Sequence, residues 1–162
     1  MRASLSSTAV AVGPVSGGRG LFTTAAVRAG ETVFEIEGEV RTAPDRFSIQ
    51  VGEDRHLHPA PEELARGESA EVPWWFLNHA CRPSVRIDGR RVVACRGLDP
   101  GDHLTFDYDT TEWSIASPFR CGCGGCGGRM VRGYAHLDAV ERARHADAVA
   151  PHLLRLAGHG HA

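Results

Sequence analysis

The chain has 162 residues, 42% hydrophobic and 23% charged, with a net charge of −2, the profile of one globular domain long enough to bury a core. That balance excludes a sequence-wide basic field of the kind that binds nucleic acid non-specifically. No apolar run approaches the ~20 residues that span a bilayer.

Direct nucleic-acid and membrane partners are therefore not expected. All 18 basic residues are arginine and none is lysine, which fits GC-rich coding and also leaves the chain without a lysine to modify on itself. The opening Met1-Arg2-Ala3-Ser4-Leu5-Ser6 leads into a glycine-interrupted Ala/Val stretch, not a clean apolar segment with a cleavage site. A cytoplasmic location is the expectation.

From about Thr8 to Asp109 the pattern is short strands broken by turn residues. Gly17-Gly18-Arg19-Gly20-Leu21-Phe22 joins two strand-like segments, and its glycines allow positive φ and close approach to a ligand. Taken alone they also read as an ordinary turn. Thr32 to Val40 sets Phe34 and Ile36 against Glu35, Glu37 and Glu39, the alternation of a half-buried strand. Pro73-Trp74-Trp75-Phe76-Leu77 opens with proline and predicts a short helical turn. Asn78-His79-Ala80-Cys81 then gathers an amide, an imidazole and a thiol; alone, these read as a turn cap and a satisfied buried histidine.

Val85 and Ile87 lead into Asp88-Gly89, a two-residue hairpin turn, with Val92 and Val93 returning. Asp99-Pro100-Gly101-Asp102 is another turn, followed by a strand from Leu104 to Tyr108 that ends in a phenol. Residues from about Leu137 to Leu156 space Val140, Ala143, Val149 and Leu153 as one helix face, with Pro151 kinking or breaking it. The helix is expected to cap the core, with a dimer face as the other use of it. A histidine–glycine tail runs from Gly158 to His161.

Five cysteines in a cytoplasmic chain argue against a disulfide framework. Cys121, Cys123 and Cys126 fall within six residues, interleaved with glycines that let the chain fold around an ion. Three thiols this close suit tetrahedral zinc and leave one ligand to find. Cys81 sits in a polar motif, whereas Cys95 follows Val93 and Ala94 and reads as a small core residue. Cys81 is the expected fourth ligand.

In order and spacing, Gly18-Arg19-Gly20-Leu21-Phe22, Gly30-Glu31, Glu37-Gly38-Glu39, Asn78-His79-Ala80-Cys81, Pro100 to Tyr108 and Cys121 to Cys126 resemble the SET-domain protein lysine methyltransferases with a zinc-binding post-SET segment. Thr110 to Trp113, Pro118-Phe119 and Arg132-Gly133-Tyr134 are similar to a compact bacterial branch of that family. The resemblance implies a mainly β SET fold with a C-terminal helix, several small curved sheets and a knot-like C-terminal threading, such threading being rare. It divides the chain into a SET domain over 8–119, a post-SET zinc segment over 120–134, and a C-terminal helix and tail over 135–162.

It further implies S-adenosylmethionine as cofactor, held by Gly18, Arg19, Gly20, Asn78 and the His79 backbone. Tyr108 matches the family's catalytic tyrosine, next to the cofactor's reactive end. Phe106 stands at the position that sets the degree of methylation, and phenylalanine there implies di- or trimethyl product. Phe47 replaces a tyrosine that touches cofactor or substrate in related chains. Ala80 and Ser84 replace the usual serine and asparagine, implying a turn with fewer hydrogen bonds, and Asp102-His103 is an exposed replacement of little consequence. The partner implied is a protein or peptide bearing lysine. The alternatives are a tailoring enzyme on the same scaffold acting on a small molecule or peptide, and a non-catalytic SET module that binds a partner.

Overall fold

The computed structural model describes residues 9–65 and 72–160. The expectations for Met1 to Ser6, for a boundary at Thr8 and for His161 lie outside them. In chain order the strands are β1 (Val10–Val15), β2 (Gly18–Thr23), β3 (Thr32–Glu35), β4 (Glu39–Arg41), β5 (Ile49–Gly52) and β6 (Arg55–His58). They continue with β7 (Asn78–His79), β8 (Val85–Asp88), β9 (Arg91–Ala94), β10 (His103–Phe106), β11 (Phe119–Arg120) and β12 (Met130–Val131). The helices are α1 (Pro61–Ala65), α2 (Ala139–Arg144) and α3 (Pro151–Gly158), with 3-10 turns at Pro73–Phe76, Tyr108–Thr110 and Tyr134–His136. The small sheets and C-terminal helix are those that the resemblance implies.

The described residues divide into two compact units, one within 9–37, 60–65 and 72–106, the other within 38–59 and 107–160. The first holds a four-stranded sheet of order β1-β2-β10-β7 and a three-stranded sheet of order β3-β9-β8. β1 and β2 form an antiparallel hairpin in which Val15 pairs with Gly18; the two-residue loop needs the left-handed Gly17, at φ 81°. β10 runs antiparallel to β2 and parallel to β7, pairing Thr105 with Asn78 and Phe106 with His79. A parallel pair requires a crossover, and residues 80–102, which contain the β8–β9 hairpin, provide it. Leu21, Val33, Val85, Val92 and Leu104 are fully buried in this unit, so its core is mostly Val and Leu side chains from the strands.

The predicted hairpin is present, but its turn falls one residue later than expected. Asp88 pairs with Arg91, so Gly89-Arg90 is the loop, with Gly89 at φ 62°. The strand expected from Thr32 to Val40 is two strands. Phe34 and Ile36 are buried and Glu35 and Glu37 exposed, as the alternation requires, but pairing stops after Glu35 and resumes at Glu39 on a different partner, β6. Gly38, at φ 155°, lies at the break.

The second unit contains the sheet β4-β6-β5, the pair β11-β12 and the C-terminal helices. The helical stretch expected from Leu137 to Leu156 is broken at Pro151, as expected, into two helices. The proline ring holds Ala150 extended at φ −66°, ψ 142°, and Pro151 becomes the first residue of α3. α2 starts on a capping box in which Asp138 Oδ1 accepts from Glu141 N at 2.8 Å and Glu141 Oε2 from Asp138 N at 2.9 Å. Leu153 on α3 is fully buried with Tyr134 and Ala150, against Trp113, Leu137 and Leu156, so α3 caps the core of its own unit. Leu153→Ala is expected to destabilise the protein by about 2–5 kcal/mol, whereas Leu154→Ala, at a side chain 54% exposed, shifts stability by less than about 0.5 kcal/mol. Urea unfolding of the two variants checks the contrast.

Candidate active site and metal centre

The glycine turn and the Asn78-His79 strand meet in the first unit. Asn78 Nδ2 donates to the Arg19 carbonyl at 3.0 Å. Among the described residues its Oδ1 has no hydrogen-bond partner, so an acceptor is left open beside β2. Gly20 is required here: a Cβ would lie 2.5 Å from His103 Nε2, 2.9 Å from Val15 Cγ1 and 3.1 Å from Asn78 Nδ2. A Cβ at Gly18 would meet nothing within 4 Å, which leaves the start of β2 open to a ligand. Arg19 is exposed and carries its guanidinium 4.9 Å from the Phe76 ring centroid.

Two expectations are corrected in this unit. His103 is not an exposed residue of little consequence. It stacks on Phe22 at 5.0 Å between ring centroids and lies 3.4 Å from Asn78 Nδ2, and burial lowers its pKa from 6.5. Nor does Ser84 leave its turn short of bonds. It is buried, its Oγ donates to the His103 carbonyl at 2.8 Å and accepts from Thr105 N at 3.0 Å. Cys95 is a third correction: it lies just past β9 and is exposed, because the buried run from Val92 to Ala94 ends with the strand. His79 Nε2 lies 3.6 Å from Cys81 Sγ. Phe106, paired with His79, is buried.

Tyr108 belongs to the second unit. It does not end a strand, as expected, but starts a 3-10 turn. The sequence Asp107-Tyr108-Asp109-Thr110 explains the change: Asp107 Oδ1 accepts from Asp109 N at 3.1 Å, and Thr110 Oγ1 donates to the Asp107 carbonyl at 2.6 Å. Phe119 packs edge-on against the Tyr108 ring at 5.7 Å. Burial, with the Glu112 carboxyl, pushes the phenol pKa well above its usual value, so the hydroxyl stays protonated at neutral pH. Phe47, in the same unit, is 47% exposed, with the Arg46 guanidinium 5.4 Å from its ring centroid.

The three clustered thiols lie in the loop between β11 and β12, closed where Cys121 N donates to the Arg129 carbonyl at 2.8 Å. The sulfurs of Cys121, Cys123 and Cys126 lie within 4.8 Å of one another. Gly124, Gly127 and Gly128 take φ of 78°, 69° and 76°, left-handed values that let the loop curl around a centre. The backbone amide of Arg129 lowers the Cys126 pKa, with help from the Cys121 thiol, in the direction of the thiolate that binds metal. An all-sulfur set at this separation fits tetrahedral zinc. Cys81, the expected fourth ligand, is carried by the first unit, in the turn after β7.

Residues 18–109 match the SET domain family, and the chain belongs to that family. It is 38% identical over 76 residues to "Methyltransferase flvH" of Aspergillus flavus, a match covering 43% of this chain and 42% of that protein. It is 25% identical over 132 residues to "Histone-lysine N-methyltransferase ASHH3" of Arabidopsis thaliana, covering 67% and 34%. It is 30% identical over 130 residues to "Histone-lysine N-methyltransferase, H3 lysine-4 specific" of Schizosaccharomyces pombe, covering 68% and 14%. The chain thus matches less than half the length of each of these relatives.

No local pattern in the sequence pointed to Glu112. It is half-buried, and its Oε1 accepts from Gln50 N at 2.8 Å and Thr111 Oγ1 at 3.1 Å. Burial nevertheless raises its pKa from 4.5 to about 7. A carboxyl whose pKa is raised on folding favours the fold most when protonated. Its contribution is full below about pH 4.3, the unfolded value, and is lost as pH rises through about 7. The corresponding cost of ionising it is at most roughly 3–4 kcal/mol. Glu112→Gln is therefore expected to raise the melting temperature relative to the parent at pH 8 and to change it little at pH 5. Thermal unfolding at the two pH values reads the difference directly.

Proposed function

We propose that the protein is an S-adenosylmethionine-dependent methyltransferase that transfers methyl groups to a lysine side-chain amine of another protein, up to the di- or trimethyl state. The observation that carries the reading is the open Asn78 acceptor beside the glycine turn, on a sheet whose strand β10 leads in two residues to Tyr108. Three features fit the cofactor to these residues. Asn78 Oδ1 is free to take a hydrogen bond from its amino group, the exposed Arg19 guanidinium suits its carboxylate, and Gly18 leaves the backbone approachable. Bound there, the cofactor would supply an electrophilic methyl on a sulfonium.

The chain's own residues then have distinct tasks. A lysine of ordinary pKa, ~10.4, is almost wholly protonated at neutral pH, so the site must favour the neutral amine by excluding water. The protonated Tyr108 phenol orients that amine and stabilises the charge developing at the transferring methyl; a phenol held protonated is no general base. No covalent enzyme intermediate is needed, and positioning carries the rate. Phe106 offers no hydroxyl to hold a water, so room remains for a second and third methyl group. Phe47 is proposed to line the cofactor or substrate approach.

We assign zinc to Cys121, Cys123 and Cys126 on the donor chemistry of the three thiols, and we propose Cys81 as fourth ligand because it sits in a polar motif of the sequence. Its task is structural, to order the loop. Cysteines outside disulfides also suit a reducing compartment, so the proposed location is cytoplasmic.

A second reading, methyl transfer to a small molecule or peptide, draws on the relative whose printed name, "Methyltransferase flvH", specifies no protein substrate. A non-catalytic binding module is disfavoured because Asn78, His79 and Tyr108 are all present. Incubation with methyl-labelled S-adenosylmethionine and core histones separates the readings, and the absence of lysine from the chain removes self-labelling at lysine. Label is expected on histone lysine, falling by about 100-fold or more in Tyr108→Phe while cofactor affinity is retained. Label confined to small molecules of a cell extract contradicts the protein substrate. In the same assay Phe106→Tyr is expected to shift products toward monomethyl-lysine by mass spectrometry, and an unchanged product distribution contradicts the role of Phe106.

A further inference from the structure

Arg129 stands three residues beyond Cys126 and closes the cysteine loop with its backbone, since its carbonyl accepts from Cys121 N at 2.8 Å and its amide engages the Cys126 sulfur. Its side chain reaches elsewhere. The guanidinium Nη2 lies 2.8 Å from Asp109 Oδ2 and 3.7 Å from Asp107 Oδ1. These two carboxylates flank Tyr108 in sequence and are 0% and 2% exposed.

Each carboxylate also holds the turn by its other contacts. Asp107 caps it through Asp109 N, and Asp109 Oδ1 accepts from Gly133 N at 2.9 Å. His145, at the C-terminus of α2, brings Nδ1 to 3.6 Å from Asp107 Oδ2. Asp107, Asp109 and His145 together have the donor types of a divalent-cation site. The guanidinium already supplies the positive charge at Asp109, so no metal is assigned there. Two carboxylates this deeply buried repel each other and resist desolvation, and a buried charge deprived of its partner is strongly unfavourable. The turn that carries Tyr108 therefore keeps its shape only while a cation is held between the acids.

We propose that Arg129 is a positioning residue that fastens the cysteine loop to the Tyr108 turn, so that metal loading of the loop sets the order of the turn. This rests on the reading that the loop binds zinc and that Tyr108 faces the reaction. A loop ordered by metal presents the guanidinium in one place. A loop stripped of metal lets it leave, and Asp107 and Asp109 then loosen the turn between them. Coupling of this kind needs no contact between Arg129 and substrate.

The test is amide hydrogen exchange of Asp109, Thr110 and Glu112 in the zinc-loaded full chain, before and after chelation, with zinc content measured in parallel. In the parent, stripping the metal is expected to speed exchange of these amides by about tenfold or more, with the β1–β2 hairpin unchanged as internal control. Arg129→Met, with zinc still bound, is expected to exchange fast already and to respond to chelation by less than about twofold, and Arg129→Lys to recover part of the response. Should Arg129→Met not fold, Asp109→Asn removes the charge partner while retaining an acceptor for Gly133, and the same loss of response is expected. A parent turn unmoved by verified zinc removal, or a variant that responds as the parent does, overturns the proposal alone. A chain that takes up no zinc overturns both the proposal and the metal reading, and neither result depends on methyl transfer.

Discussion

The first unit depends on a two-residue parallel ladder between β7 and β10, pairing Thr105 with Asn78 and Phe106 with His79. So short a ladder is weak by itself, and parallel pairing is slightly less stable per residue than antiparallel. It is shored up from outside the strands. Ala80 N donates to the Phe106 carbonyl at 3.2 Å, Ser84 N to the Thr105 carbonyl at 3.1 Å, and the Ser84 hydroxyl bridges the His103 carbonyl and Thr105 N. With β10 also paired to β2, Asn78 is delivered against the Arg19 carbonyl, and the remaining space admits only glycine at position 20.

The second unit handles charge differently. Tyr108, Asp107 and Glu112 all have pKa values raised chiefly by burial, a shift of each toward its protonated form relative to water. His56 and His152, whose pKa values burial lowers, are buried neutral. Their contribution to stability has the opposite pH dependence to that of Glu112: full above about 6.5 and lost as pH falls below it. The phenol is thus set in surroundings that favour its neutral form, while the neighbouring acids Asp107 and Asp109 are compensated by Arg129.

Much of the fold was legible wherever the signal is local. Alternation at Phe34 and Ile36, proline at position 73 and the glycine of the first hairpin report backbone geometry through the residue itself. The three thiols in six residues marked, for the same reason, the loop in which their sulfurs come together. What stayed hidden depends on register and on distant partners. His103 looked exposed because only the pairing of β10 with β2 sets it on Phe22. Cys95 looked like core because nothing local tells where β9 ends. Ser84 lost its asparagine-like role on paper but regains two bonds from a strand some twenty residues on. One misreading had a local signal that strand periodicity overrode: the Asx chemistry of Asp107 that turns the chain at Tyr108. The helix break was legible, because Pro151 imposes an extended conformation on Ala150.

The proposed function makes a defined demand on the first unit, that Gly18, Arg19 and Asn78 bind S-adenosylmethionine. Calorimetric titration of the cofactor into the parent chain and into Asn78→Ala measures this without any methyl acceptor. Saturable binding weakened by about tenfold or more in Asn78→Ala, equivalent to about 1.4 kcal/mol, is the predicted result. An absence of binding to the parent, or equal affinity in the two proteins, contradicts the account.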